Sequence, residues 1–457
     1  MQRVVMKFGG TSVGIAANLQ LAQQLVERRV REDVHPPVVV VSALTGVTNL
    51  LVAFCATPSE REALAKRLIE RHLEALRELE LPIASLDPLL AEWRAEAALA
   101  ATQPGVLTGA ERDSLLAFGE RLSAERFAAG LRARGLHAMA HHAGRIGLLT
   151  DERFGAAHPM PEHASRLAQS LAPRGVVEVI TGFLGATLDG QPTTLGRGGS
   201  DYSAALIGAA IGAEEIQIWT DTSGMLSADP RVVPEARPVP HLSFTEASEL
   251  AYFGAKVLHP KTLLPAMERG VPVRILNTAR PDDPGSLITP HAQALAGTWS
   301  VKSIACKKHV TAVTIASTRM LLAHGFLARV FEVFGRHQLV VDLVTTSEVS
   351  ISVTLDDTAH LDDALAELEG IGHVEVREGL AVVAVVGEGA PTRLGLAGHV
   401  FTLLGGVGVS VEMISQGASR VNLSFVVRES DADRTVKLLH RGLGLDFEAH
   451  AEDAAAR

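Results

Sequence analysis

Lys7-Phe8-Gly9-Gly10-Thr11-Ser12 sets a cation at the end of an apolar run and follows it with two glycines. Amides without side chains can approach phosphate oxygens closely, and a neighbouring ammonium supplies charge. The spacing matches neither G-x-x-x-x-G-K-[ST] nor G-x-G-x-x-G, and a glycine pair after a strand also fits a plain turn. A second group is Thr194-Leu195-Gly196-Arg197-Gly198-Gly199-Ser200-Asp201-Tyr202, directly before an alanine-rich helical stretch. A guanidinium suits bidentate recognition of a carboxylate. Asp201 reads either as a helix N-cap or as the carboxylate that orients Lys7. Two further loops carry hydroxyls and charge: Ser42 to Asn49, and Trp219-Thr220-Asp221 followed by Ala228-Asp229-Pro230-Arg231.

These groups need strands to hold them. Val4 to Phe8 and Val38 to Val41 are short apolar runs, with a helical spacing of Leu19, Leu21, Leu25 and Val26 between them. Such alternation predicts a mainly parallel α/β sheet, in which ligands bind at the carboxyl ends of the strands. Residues from about 58 to 135 show no strand signal and predict a helical insertion, mostly solvated faces over a leucine stripe. Val176 to Ile180, Ile216 to Trp219 and Val271 to Ile275 resume the strands. The proline-rich stretch 281–290 predicts the end of a domain at about 295.

Beyond it the chain repeats. Gly325-Phe326 to Phe331, Val341-Asp342-Leu343-Val344 and Ile351 to Leu355 each recur 70 residues later, at Phe401, Glu412 and Val421. Two copies of a β-α-β-β-α-β unit are too few for a solenoid and predict a pair of small ligand-sensing domains, 301–380 and 381–457.

Composition narrows the classes. At about 100–200 residues per domain, 457 residues predict two to four domains. A net charge of −10 argues against a dedicated nucleic-acid binder. Two cysteines make neither a disulfide framework nor a four-thiolate zinc site, and they fit a reducing compartment. No run approaches the roughly 18 apolar residues of a membrane span, and the N-terminus lacks a signal-peptide pattern, so a cytoplasmic protein is expected.

Lys7 to Val13, Gly196 to Asp201 and Phe253-Gly254-Ala255-Lys256-Val257-Leu258-His259-Pro260 together resemble aspartate kinase, nearest the monofunctional lysine-sensitive type with tandem ACT domains. The resemblance covers essentially the whole chain. It implies an amino-acid-kinase fold and phosphoryl transfer from ATP, with Mg²⁺ held mainly by the nucleotide, to the side-chain carboxylate of L-aspartate. That reaction opens lysine, threonine and methionine biosynthesis. It further implies that Lys7 stabilises the transferring group, Gly9 and Gly10 cradle it, and Asp201 organises Lys7. Arg197, Thr48 and Glu120 would hold aspartate, and Ser42, Thr220, Asp221, Arg231 and Lys256 would lie on the nucleotide side. Leu226 stands where the family often has a tyrosine. Met320, Gly325, Phe326, Leu327, Asp342, Thr346, Ser347, Glu348 and Val349 resemble an effector site for lysine, with ACT-mediated homodimers or larger assemblies. In the second repeat Asp342 aligns with Glu412 and Glu348 with Ala418, so only the first copy is equipped for a cationic ligand. The competing expectations are a sibling kinase acting on glutamate or acetylglutamate, and an inactive ACT sensor.

Overall fold

The computed structural model describes residues 3–254, 258–292, 299–320, 324–416 and 421–446. Contacts divide the chain into two compact units. The first comprises Met1–Met225, Pro240–Phe244 and Lys256–Ala292; the second comprises Leu226–Val239, Thr245–Ala255 and Gln293–Arg457. The contiguous boundary expected at about 295 therefore misses two short segments that join the second unit.

The first unit begins with β1 (Val4–Phe8), α1 (Gly10–Val13), α2 (Ala16–Glu32) and β2 (Val38–Val41). Helices α3 (Val47–Ala56), α4 (Arg61–Glu78), α5 (Asp87–Ala101) and α6 (Gly109–Ala133) follow. Next come β3 (Ala138–His141), α7 (His163–Ser170), β4 (Val177–Thr181), the hairpin β5 (Leu184–Ala186) and β6 (Pro192–Thr194), then α8 (Gly199–Ile211) and β7 (Glu215–Thr220). The rest is β8 (His241–Ser243), α9 (Phe244–Tyr252, mostly counted with the second unit), α10 (Pro260–Arg269), β9 (Val273–Asn277) and β10 (Ser286–Thr289).

Eight of these strands form one sheet in the order β3-β4-β2-β1-β7-β9-β10-β8. The first six are parallel; β10 runs antiparallel to β9, and β8 follows β10. β1 is central and buried on both faces, which is why it reads as an uninterrupted apolar run. The chain leaves β1 towards β2 on one side and later fills β7 on the other. Their carboxyl ends therefore border a topological switch point, where open α/β sheets bind ligands.

The helical stretch expected at about 58–135 is present, but α6 departs from the solvated cover anticipated there. Most of α6 is buried, and it sends Asp113, Glu120 and Arg126 into the interior. Its other neighbours close an aromatic core in which Trp93 meets Phe54 and Phe118, each with ring centroids 5.3 Å away. Burying such a side chain contributes about 2–3 kcal/mol.

The second unit carries β11 (Ser303–Ala316), α11 (Phe326–Arg336), β12 (Val344–Thr346), β13 (Ser350–Leu355), α12 (Leu361–Leu368) and β14 (His373–Val386). It continues with α13 (Leu396–Gly406), β15 (Met413–Ser415), β16 (Asn422–Arg428) and α14 (Glu429–Gly442). One six-stranded sheet results, ordered β12-β13-β11-β14-β16-β15. Strands β11 and β14 have 14 residues each and serve both repeats. Val310–Ala316 pairs with the first half of β14, while Ser303–Lys307 pairs with Val382–Val386, across an irregularity where His309 has φ +60°. The second repeat thus takes its last strand from residues 303–307, and a cut at 380/381 falls inside β14.

The 70-residue offset also needs correction beyond the second strand. Val344 faces Val353, but Ile414 faces Phe425, so the final strand repeats after 72 residues. Ile351, Val353 and Leu355 in one core match Leu423, Phe425 and Val427 in the other. A slip of two leaves the inward and outward alternation unchanged, so the pattern alone could not reveal it.

Candidate active site

The carboxyl ends of β1, β2 and β7 bring the first motifs together. Lys7 is the penultimate residue of β1, in register with Val40 and Ile218 on either side. Its Nζ lies 2.5 Å from Asp201 Oδ1 in the first turn of α8. The approach is an ion pair without good hydrogen-bond alignment, and both side chains are mostly buried. A Cβ on Gly9 would stand 3.3 Å from Lys7 Nζ and 3.7 Å from the Trp219 carbonyl. The glycine therefore keeps the space beside the ammonium open. Gly9 N–H donates to that carbonyl at 3.2 Å, and Ser42 N–H donates to Phe8 O at 3.1 Å, joining β1 to both neighbours.

The helix expected to follow the glycines starts in two pieces. α1 is one short turn, and the chain breaks at Gly14, where a Cβ would lie 2.2 Å from Thr45 Oγ1. Close approach of the loop after β2, rather than turn geometry, demands that glycine.

Glu120 faces the loop after β2. Its Oε1 accepts from Ala43 N at 3.1 Å, and burial pushes the carboxyl up to about 8, against the opposing pull of that amide and of its own backbone N–H. No cation lies within ion-pair distance of it among the described residues. Thr48 stands in the first turn of α3. Arg197 is exposed on the loop before α8, with no carboxylate in ion-pair range among the described residues. Thr220 ends β7, and its hydroxyl donates to Asp221 Oδ1 at 3.2 Å.

The third motif reaches the second. His259 caps α10, accepting from Lys261 N, and a Cβ on Gly198 (φ +70°) would come within 2.7 Å of His259 Cβ. Lys256 lies outside the described residues. Arg231 belongs to the second unit, on an exposed loop where it pairs with Asp229 at 2.5 Å. Leu226 is also in that unit, its carbonyl accepting from Ser303.

Two residues were not anticipated from sequence. Asp113 is fully buried and accepts from Gly155 N, Thr194 N and the Thr194 hydroxyl at 2.7–3.1 Å, fixing the strand that leads to Arg197. Phe183 holds φ +64° between β4 and β5, an unusual conformation for an aromatic residue and one often kept at working sites. The composition of Thr181-Gly182-Phe183 carries no signal for it.

In the second unit, Gly325 (φ +74°) precedes α11, Phe326 is buried, and Leu327, Thr346, Ser347, Glu348 and Val349 are exposed. Met320 is half-buried. The Asp342 side chain is fully buried and already engaged: Lys307 Nζ lies 3.0 Å away, and Tyr252 OH donates to it. Lys307 also reaches Asp356 at 2.7 Å and sits 4.6 Å from the Tyr252 ring centre. Glu412, the counterpart of Asp342, pairs instead with Arg377 at 2.7 Å near the surface. Ala418 lies outside the described residues.

No described helix is long and apolar enough to cross a membrane. The amino acid kinase family model matches residues 2–277, and an ACT domain model matches residues 383–443. Aspartokinase 1, chloroplastic, of Arabidopsis thaliana is 40% identical over 458 residues, covering 96% of this chain and 79% of its own. Lysine-sensitive aspartokinase 3 of Escherichia coli is 38% identical over 459 residues, covering 96% of this chain and 99% of its own. The crystal structure of E. coli aspartokinase III in complex with aspartate and ADP (R-state) matches with a TM-score of 0.84 at 37% identity, over 97% of this chain and 100% of that one. An amino-acid-kinase sheet carrying these motifs, followed by an ACT-type unit and matched along nearly its whole length by such relatives, means that the chain belongs to the aspartokinase family.

Proposed function

We propose that the crevice at the ends of β1, β2 and β7 moves the γ-phosphoryl group of ATP onto the side-chain carboxylate of L-aspartate, giving 4-phospho-L-aspartate. The observation that carries this reading is the Lys7–Asp201 pair, 2.5 Å apart, beside the open backbone of Gly9 and Gly10. A carboxylate nucleophile is ionised at pH 7 and needs no general base. The enzyme must instead hold two anions together and neutralise charge on the transferring group. Lys7 supplies that charge, Asp201 fixes its ammonium, and Gly9 and Gly10 cradle the phosphate oxygens, Gly9 by leaving space beside the ammonium, since its own N–H already donates to Trp219 O. Ser42, Thr220 and Asp221 serve the nucleotide side, and the same role is assigned to Arg231 and Lys256 by motif.

Arg197 clamps the α-carboxylate of aspartate, while Thr48 and Glu120 receive its amino group and backbone. The chemistry of Glu120 supports this role. A buried carboxyl met only by backbone amides is poorly solvated, and an arriving ammonium would favour its ionised form. Among the described residues no group of three or more His, Cys, Asp or Glu could hold a metal ion. Magnesium would arrive on the ATP phosphates and, when bound, would supply positive charge to the transferring group.

The effector is read as L-lysine, received by the first repeat through residues Met320 to Leu327, Asp342 and Thr346 to Val349. Because Lys307 already occupies Asp342, an incoming ammonium must share or displace that contact. Strands β12 and β15 are the free edges of the sheet, with Val344 and Ile414 exposed on them, and are the surfaces through which a homodimer or larger assembly would form. A cytoplasmic location completes the reading.

Hydroxylamine trapping tests the reaction, since acyl phosphates give hydroxamates. Hydroxamate should appear with aspartate, ATP and Mg²⁺. Product with glutamate but not aspartate would overturn the substrate assignment. Absence of heat on titrating millimolar lysine would overturn the effector.

A further inference from the structure

The short helix α1 carries the glycine turn, and four carbonyls at or next to it are held by side chains from elsewhere. Gly10 O accepts from Thr45 Oγ1 at 2.8 Å, and Thr11 O accepts from Asn18 Nδ2 at 2.8 Å. Val13 O accepts from Arg126 at 2.6 Å, and Gly14 O accepts from Arg71 at 3.2 Å. The last carbonyls of a helix have no partner of their own, and a cation there also suits the dipole.

Arg126 is the unusual member. It is 1% exposed, its Nε has no partner, and no carboxylate lies within ion-pair distance among the described residues. Its burial, with Arg71 nearby, pulls the guanidinium down to about 9. The adjacent His72 is also fully buried without a hydrogen-bond partner, and burial lowers it to about 3, so it stays neutral and offers no counter-charge. A buried guanidinium without a counter-ion is destabilising. Among the described residues its one hydrogen bond goes to Val13 O, in the segment that bears Gly9 and Gly10.

We propose that Arg126, assisted by Arg71, is a positioning residue for phosphoryl transfer: the helical stretch α4–α6 grips the C-terminal end of α1 and so fixes the glycine turn against Lys7. This rests on the reading that the turn receives ATP phosphates. A displacement of about 1 Å in such a turn can lower turnover by about a hundredfold.

The test compares Arg126→Met, Arg126→Lys, Arg71→Gln and Lys7→Ala in the full chain, with kcat, KM for MgATP, KM for aspartate and melting temperature measured for each. Arg126→Met should lose about ten- to a hundredfold in kcat, with KM for aspartate within about twofold. Arg126→Lys, which still donates to Val13 O, should recover much of that loss, and Arg71→Gln should lose about two- to fivefold. A folded Arg126→Met enzyme with wild-type kcat, while Lys7→Ala is inactive, would overturn the positioning role alone. Near-normal turnover in Lys7→Ala would instead overturn the phosphate reading beneath it. If Arg126→Met does not fold, wild-type kcat in Arg71→Gln is the result that rejects the proposal.

Discussion

Two lysine–aspartate pairs, one in each unit, show how the same side chains serve different ends. Lys7 has one carboxylate, Asp201, at 2.5 Å, and its other side faces glycine backbone. Lys307 has two carboxylates, Asp342 at 3.0 Å and Asp356 at 2.7 Å, and lies over the Tyr252 ring. The first ammonium keeps capacity for a second anion. The second is saturated, and its surroundings make it a tie between strands, loop and α9. Residue type does not separate the pair proposed to react from the one that ties strands together; the unfilled coordination around the cation does.

Removing each lysine should divide the two cases most sharply. Lys7→Ala should lower kcat by about a thousandfold, as loss of a transition-state charge partner does, with the melting temperature nearly unchanged. Lys307→Met should do the reverse, leaving the Asp342 carboxylate with the Tyr252 hydroxyl but no cation and costing about 2–4 kcal/mol in denaturant unfolding, with modest change in kcat. Stability loss in Lys7→Ala without a rate effect would erase the contrast. Recovery of much of the lost stability in the double variant Lys307→Met/Asp342→Asn would sharpen it.

Arg197→Ala should raise KM for aspartate by about tenfold to a hundredfold and leave KM for MgATP close to wild type. The pH response of Glu120 comes next in size. Its carboxyl is raised from an ordinary 4.5 to about 8, so the free enzyme holds a proton there at neutral pH. With the role proposed for Glu120, aspartate binding needs the ionised form, so kcat/KM for aspartate should climb with pH and level off above about 8, and Glu120→Gln should flatten that climb. The linked stability has the opposite sign. A raised carboxyl contributes stability that is complete below about 4.5 and lost as pH rises through about 8, and bound aspartate should reverse the loss. The smallest effect is expected for Tyr252→Phe, which removes one donor to Asp342 and should cost about 1 kcal/mol.

Much of the crevice was legible because its parts are local. Lys7-Phe8-Gly9-Gly10 and Gly198-Gly199-Ser200-Asp201 each combine a strand end or helix start with residues whose freedom or charge is visible in one line of sequence, and the fold brings Lys7 onto Asp201. Asp113 and Arg126 were illegible for the opposite reason. Each lies on α6 in an alternation of charged and apolar residues that reads as a solvated face, and only burial gives their hydrogen bonds meaning. The two-residue slip in the second repeat hid similarly, because strands repeat every two residues.

The sequence by itself determined the order of elements, the glycine positions where backbone must come close, the two repeat copies and the charges available at the crevice. These follow from short-range sterics and periodicity. Tertiary structure alone decided which charges are spent. It saturates Lys307 while leaving Lys7 with one partner, buries Arg126 against a carbonyl, and gives the second repeat a strand from residues 303–307. Coordination and burial depend on contacts between distant segments, which no local pattern records.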